Sequence, residues 1–363
     1  MRLRRLWLTD FRNYTDADLA FAPGLTAVVG ANGQGKTNLL EAIAYVGTLG
    51  SFRGAPADAL VRSGATAAAV RAEIDREGRE LLVEAEIAAA GAGRSRVQVN
   101  KQRLSRARDL LGALRVSVFA PDDLALLKGG PAERRRYLDD TLVALSPKND
   151  DLRAEVDRIL RQRNALLKQA GGRLTDDVAG TLDVWDDKLA AAGTELADRR
   201  HDLVARVHPL LTEAYRDLAG GASEIGASYE APWRGSEGGL AAALRAARDD
   251  ELRRRVTLVG PHRDELTLSI DGLPARTHAS QGEQRSLALA LRLAAHRLVS
   301  EATGTPPVLL LDDVFSELDA DRSAALVDHL LGGTGQVVVT TAGDLPPGAH
   351  PESVVRIDDG RVS

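Results

Sequence analysis

Cysteine is absent from all 363 residues, which removes disulfide frameworks, thiolate metal sites and cysteine nucleophiles from consideration. Aromatic residues make up only 4% and methionine occurs once, so the core must be mainly aliphatic. No stretch approaches the roughly 18 uncharged residues of a membrane span, and the opening MRLRRLWLTDFRNY lacks the continuous apolar segment of a secretion signal. A cytoplasmic protein with no membrane partner is expected. Positive charge is not in surplus either. The net charge of −5 excludes a uniformly basic nucleic-acid binder, so any DNA-facing surface must be local. What remains, 44% apolar and 27% charged residues over more than one domain's length, describes a globular protein of two lobes with a sizeable core.

The patterning divides the chain. Alternation at Leu3, Leu6 and Leu8, then Phe21 and Leu25 to Val29, predicts strands leading into a glycine-rich turn. From Lys36, apolar positions Leu39, Leu40, Ile43, Tyr45 and Val46 predict a helix, with Gly47 and Gly50 as stop signals. Short alternating runs between Val70 and Gln102 predict antiparallel strands ending in a turn at Asn100. From Pro121 to about Arg248 the pattern is helical, broken at Gly171 and Gly172 and from Gly220 to Gly239. Strands are expected at Val256 to Val259 and Leu266 to Ile270, the latter followed by an Asp271-Gly272 hairpin signal. The last third alternates: a helix from about Gly282 to Val299, a strand Val308 to Leu311, a helix from about Asp321, a strand Gln336 to Thr340. Such alternation implies a parallel sheet. The expected architecture is α/β: an ATPase lobe from residues 1–120 and 256–363, with a mixed sheet and an antiparallel strand subdomain, and an inserted all-helical lobe at 121–255.

Gly30-Ala31-Asn32-Gly33-Gln34-Gly35-Lys36-Thr37 fits G-x-x-x-x-G-K-[ST] between a strand and a helix, the context that makes this motif specific. Backbone N–H groups there, those of the helix start at Asn38 included, cradle phosphates, because unpaired donors and the helix dipole both favour anions. Lys36 is expected to reach the β and γ phosphates of ATP, and Thr37 to ligate Mg²⁺. The apolar strand Val308 to Leu311 runs into Asp312 and Asp313. Carboxylates at the carboxyl end of a parallel strand lie where ligands gather in open α/β sheets. Asp312 is expected to hold Mg²⁺ and Asp313 to orient or deprotonate the attacking water.

Ser280, Gln281 and Gly282 precede a helix with Glu283 three positions after the serine, which makes a capping box and equally an anion-binding helix start. The string Ser280 to Gln284 resembles the ABC signature, and Glu317-Leu318-Asp319 follows the acid pair at the spacing of an ABC D-loop. Thr340 and Thr341 end the next strand where ABC transporters carry a switch histidine. The order of phosphate loop, signature, acid pair and D-loop is similar to that of ABC ATPases, and implies that Ser280, Gln281, Gly282 and Asp319 complete the ATP site of a second copy. The interval from Thr37 to Ser280 exceeds a transporter insert and is far too short for the long coiled coil of SMC proteins.

Further strings are similar to the RecF family of recombination-repair ATPases: Asp10-Phe-Arg-Asn-Tyr14, Ser51-Phe-Arg53, Val118-Phe-Ala-Pro-Asp-Asp-Leu124, Lys128-Gly-Gly-Pro131 running into Arg134, Gly260-Pro-His-Arg-Asp264 and Ser280 to Arg285. They span nearly the whole chain. The resemblance implies a weak, DNA-stimulated ATPase that dimerises with ATP on duplex DNA near single-strand gaps, is released by hydrolysis, and helps RecR and RecO load RecA. Two rival readings weaken against it: a transporter subunit lacks its switch histidine, and a small-molecule kinase has no use for Ser280 to Gln284. A third, a DNA-binding scaffold with a purely structural nucleotide, is separated only by measuring hydrolysis. Arg12 and Asn13, after the first strand, are expected at the nucleotide. Most basic clusters read as solvated helix faces. Arg134, Arg135 and Arg136 open a helix, where cations oppose its dipole, and are the expected DNA or partner contact.

Overall fold

The computed structural model describes residues 1–221, 223–333 and 335–363, and the chain forms two compact units. The first comprises Met1–Leu124, Glu213–Ala222 and Ser280–Ser363. It contains two six-stranded sheets. One is antiparallel, in the order Tyr14–Ala20, Arg2–Phe11, Ala67–Arg76, Arg79–Ala88, Arg96–Val99, Gln102–Arg103. The turn between its last two strands puts Asn100 and Lys101 at positive φ, as a two-residue hairpin of right-handed twist requires. The other sheet runs Arg361–Val362, Ser353–Asp358, Leu25–Val29, Val337–Thr341, Val308–Leu311, Val116–Phe119, parallel except at its first pair. All four residues of Val308–Leu311 are buried, the signature of a central parallel strand covered on both faces.

The helix Lys36–Thr48 buries Leu39, Leu40, Ile43 and Val46 in one cluster with Leu6, Leu8 and Val70 of the antiparallel sheet and Val28, Leu310 and Val338 of the parallel one. Gly47 does not stop this helix. A side chain there would press within 2.9 Å of Val116, so glycine permits the close approach, and the chain turns at Leu49 instead. Gln336 ties the distant chain ends together: its amide takes a hydrogen bond from Leu3 N–H at 2.7 Å and donates to the carbonyl oxygens of Leu3 and Ala22 at 2.8 Å each.

The second unit, Ala125–Thr212 and Ser223–Ala279, is not all-helical. It carries the helices Pro131–Leu145, Lys148–Gln169 and Gly239–Arg254 and most of the 44-residue helix Asp176–Ala219. It also holds a three-stranded antiparallel sheet of Leu273–Pro274, Glu265–Ile270 and Ile225–Glu230. The last of these strands lies within the stretch whose Gly and Ser content predicts a break. Residues 256–279, expected in the ATPase lobe, belong to this unit, because Glu265–Ile270 pairs with Ile225–Glu230 and with neither six-stranded sheet. The expected strand at Val256 to Val259 does not form. Side chains satisfy its backbone instead: Thr257 N–H donates to Asn164 Oδ1 at 2.7 Å and Leu258 N–H to Glu251 Oε1 at 2.8 Å.

Candidate functional site

The strand Leu25–Val29 delivers the chain into the loop 30–35, and the helix Lys36–Thr48 leaves it. Two features make that turn possible only with glycine. Gly33 and Gly35 sit at φ +82° and +113°, and a Cβ on Gly35 would stand 2.6 Å from the Asn13 amide. Lys36 curls over the loop, its Nζ donating to the carbonyls of Gly30 at 2.7 Å and Ala31 at 2.9 Å. Those are stand-in acceptors for a cation that has anionic oxygens to find.

Asp10-Phe-Arg-Asn-Tyr14 acts behind this loop. Asn13 donates to the Gln34 carbonyl at 2.9 Å and accepts from the Asn38 amide at 2.8 Å. Tyr14 donates its hydroxyl to the Gly35 carbonyl at 2.9 Å, and burial raises that phenol's pKa so that it remains a donor. Arg12, at φ +53°, grips both oxygens of the fully buried Glu41 at 2.7 and 2.8 Å and the Ala59 carbonyl at 2.8 Å. Ser51 completes the cluster by donating to Glu41. The expectation that Arg12 and Asn13 touch the nucleotide is corrected: their polar atoms are committed to the protein, where they brace the loop and its helix.

Across from the loop, the two carboxylates are ordered by a residue without an assigned task in the sequence. Thr340 donates its hydroxyl to Asp312 Oδ1 at 2.8 Å and accepts from the Asp313 N–H at 2.9 Å. Thr37 donates to the same Asp312 oxygen at 2.9 Å. Burial raises the Asp312 pKa, opposed by the hydroxyls of Thr340 and Thr37. Asp313 sits in the left-handed region at φ +49°, and Ser316 donates to its Oδ2 at 2.9 Å. A hydroxyl and a carboxylate side by side after a phosphate loop are hard oxygen donors, which fits Mg²⁺ held by Thr37 and Asp312. Among the described residues no group of three or more His, Asp or Glu forms a closed metal cage. Arg53 approaches this corner as well, and is among the charges that lower the Asp312 pKa.

Ser280 caps the helix Gln281–Thr303. Its Oγ accepts from Glu283 N–H at 3.3 Å, and its own N–H donates to Glu283 at 2.7 Å. Ser280 and Gln281 are exposed, so this helix start faces outward with its unpaired N–H groups. Asp319 caps the next helix, Ala320–Leu331, through Arg322 N–H at 2.9 Å. Two arginines link the segments: Arg285 pairs with Glu317, and the Arg322 guanidinium lies 3.3 Å from where a Gly282 side chain would begin.

A family model described as the RecF/RecN/SMC N terminal domain matches residues 2–345. The chain is 45% identical over 375 residues to the DNA replication and repair protein RecF of Streptomyces avermitilis, covering 100% of this chain and 99% of that protein. The chain belongs to the RecF family. It is also 46% identical over 383 residues to RecF of Kineococcus radiotolerans, covering 98% and 97% of the two. Among solved structures, a recombination mediator protein RecF with ATP superimposes with a TM-score of 0.91 at 28% identity, covering 99% of this chain and 96% of that one. An SMC head bound to the C-terminal winged-helix domain of ScpA shares the fold, at TM-score 0.60 and 19% identity. The RecF-family chain therefore has the ABC-type ATPase head that RecF and SMC proteins share.

One RecF-like string holds a surprise. Arg134, expected at DNA, is only 6% exposed, grips both oxygens of Glu265 at 2.7 Å, and donates to the carbonyls of Leu126 and Gly129 at 3.0 and 3.1 Å. Its task is to close the ends of local backbone, which removes it from any DNA surface. Arg136 is exposed and Arg135 half-buried.

Proposed function

We propose that this protein is an ATP-dependent DNA-binding recombination mediator, and that the exposed Ser280 helix start closes over ATP held by residues 30–38 of a second copy. The observation that carries the reading is the outward-facing capped helix start in a chain that also builds a complete phosphate loop. Its capping geometry spends one hydroxyl lone pair on Glu283 and leaves further N–H groups for an anion. The solved RecF with ATP supports ATP as the ligand. The RecFOR context of that structure supports RecO and RecR as partners, and the cytoplasm is the matching compartment.

In this reading Lys36 leaves the Gly30 and Ala31 carbonyls for the β and γ phosphates, and the loop N–H groups hold them in line for attack. Asp313 orients and accepts a proton from the attacking water, with Ser316 and Thr340 fixing its position. Thr37 and Asp312 hold Mg²⁺, which offsets phosphate charge when bound. Ser280 and Gly282 of the second copy donate to the transferring phosphoryl group, and Asp319 sits where the D-loop meets it. Closure makes a clamp on duplex DNA near single-strand gaps, and hydrolysis releases it, which times the loading of RecA by RecO and RecR.

Ser280→Asp tests this directly. Aspartate caps a helix as well as serine does, so the fold is kept, but it sets a negative charge against the incoming phosphate. The wild type is expected to sediment as a dimer with ATP and gapped duplex and to hydrolyse faster with that DNA. The variant is expected to bind ATP as a monomer and not turn it over. A wild type that stays monomeric with ATP and whose rate ignores DNA sinks the clamp. For the loop brace, Asn13→Ala removes two hydrogen bonds, each worth about 1 kcal/mol, and is expected to weaken ATP binding by roughly tenfold in titration calorimetry.

A further inference from the structure

Two RecF-like strings that the ATPase reading leaves without a task meet in the second unit. The helix Pro131–Leu145 brings Arg135, and the turn Gly260-Pro-His-Arg-Asp264 brings His262, to the wall of a cavity of about 480 Å³. Other charges on its wall are already matched. Arg200 grips both oxygens of Asp139 at 2.8 Å, and Arg153 holds Asp150 at 2.6 Å. Arg135 is different. Its guanidinium donates to the main-chain oxygen of Asp264 at 2.9 Å and forms no ion pair among the described residues. Burial and the nearby Arg200 both push its pKa down, so a cation is held where its charge is disfavoured.

His262 supplies the opposite need. Its Nε2 lies 3.0 Å from the Thr257 carbonyl, and a carbonyl only accepts, which assigns the ring proton to Nε2. Nδ1 is then a lone pair, buried, with no hydrogen-bond partner in the chain. Burial lowers the ring's pKa to about 4, so at neutral pH it stays an acceptor. Gly260, at φ +130°, keeps the approach clear, since a side chain there would begin 3.4 Å from Nδ1. The sequence reading of His262 as a satisfied histidine thus holds for one nitrogen and fails for the other.

An unmatched cation and an unmatched acceptor on one cavity wall specify a ligand with an anionic oxygen and a hydroxyl on the same group. We propose that this cavity binds a singly protonated phosphomonoester, its anionic oxygens on Arg135 and its P–OH donating to His262 Nδ1. Asp157, at the same wall, is placed to accept from a hydroxyl of the esterified group. Sulfate and the diester of a nucleic-acid backbone carry anionic oxygens and no proton, and leave Nδ1 unsatisfied. The site lies in the second unit and does not depend on the ATP chemistry proposed above. Free phosphate esters and the 5′-terminal phosphate of a DNA strand share the required chemistry.

The test uses the full-length chain with ¹⁵N-labelled histidine at pH 6, close to the second pKa of about 6 of a phosphomonoester. Inorganic phosphate is expected to shift the His262 Nδ1 resonance at concentrations about tenfold or more below sodium sulfate at matched ionic strength, because only phosphate satisfies Nδ1. Reading that resonance excludes signals from the phosphate loop. Arg135→Gln keeps a donor for the Asp264 carbonyl and is expected to weaken the phosphate response by about tenfold or more. A 5′-phosphorylated duplex that displaces phosphate better than its 5′-hydroxyl counterpart makes a DNA end the source, and equal displacement makes it a free ester. Equal responses to phosphate and sulfate in the wild type, a comparison needing no variant, or an unchanged response in Arg135→Gln, overturn the proposal.

Discussion

Asp313→Asn is expected to lower ATP turnover by roughly 10²- to 10⁴-fold, the usual contribution of a positioned base, while leaving ATP binding intact. The substitution isolates one property. Asparagine is nearly isosteric, tolerates the left-handed backbone at φ +49°, and its Oδ1 still accepts from Ser316. Its N–H continues to donate to Thr340, so the Asp312 cluster with Thr37 and Thr340 is unchanged. Only the capacity to take a proton is lost. The ATP-bound dimer is then expected to accumulate on gapped duplex, read by sedimentation, with phosphate release as the rate measurement. Turnover within threefold of wild type removes Asp313 from the role of base and leaves it as a turn residue.

Arg163→Ala is expected to destabilise the second unit by about 3–5 kcal/mol, because it strands two buried carboxylates. Arg163 is fully buried. It pairs with Asp186 at 2.7 Å and Glu251 at 2.6 Å, each itself fully buried, and donates to Thr257 Oγ1 at 2.9 Å. Arg248 still reaches Asp186 at 2.7 Å, but among the described residues no second ion pair reaches Glu251. Urea unfolding followed by tryptophan fluorescence suits the measurement, since Trp185 and Trp233 lie in this unit. Replacing Arg163, Asp186 and Glu251 together by apolar residues of similar volume is expected to cost far less than the single change. A single variant within about 1 kcal/mol of wild type means water reaches the triad, which contradicts its burial.

The Arg163 cluster also marks a limit of sequence reading. Arg158, Arg161, Arg163 and Lys168 form one basic stretch in the sequence, with a solvated helix face as the natural expectation. Arg163 is instead buried, because its partners Asp186 and Glu251 arrive from other helices. Arg134 repeats the lesson. A cation at a helix start is mildly unfavourable in isolation. Glu265 and two carbonyls convert it into a buried anchor, and nothing near Arg134 in the sequence announces them.

The phosphate loop, the acid pair after Val308–Leu311 and the capped signature helix were each legible from the sequence. They depend on backbone conformation within a few consecutive residues, which glycine spacing, a buried apolar run and a capping box specify locally. The RecF-like strings reached further and identified the family across the chain. What tertiary structure alone decided is how side chains distant in sequence share out hydrogen bonds. It made Arg12 and Asn13 braces, drew Thr340 between two carboxylates, replaced an expected strand at Val256 to Val259 with side-chain acceptors, and left Arg135 and His262 Nδ1 unmatched on one cavity wall. Buried polar groups must find partners wherever the fold brings them, and a linear sequence does not show which partners arrive.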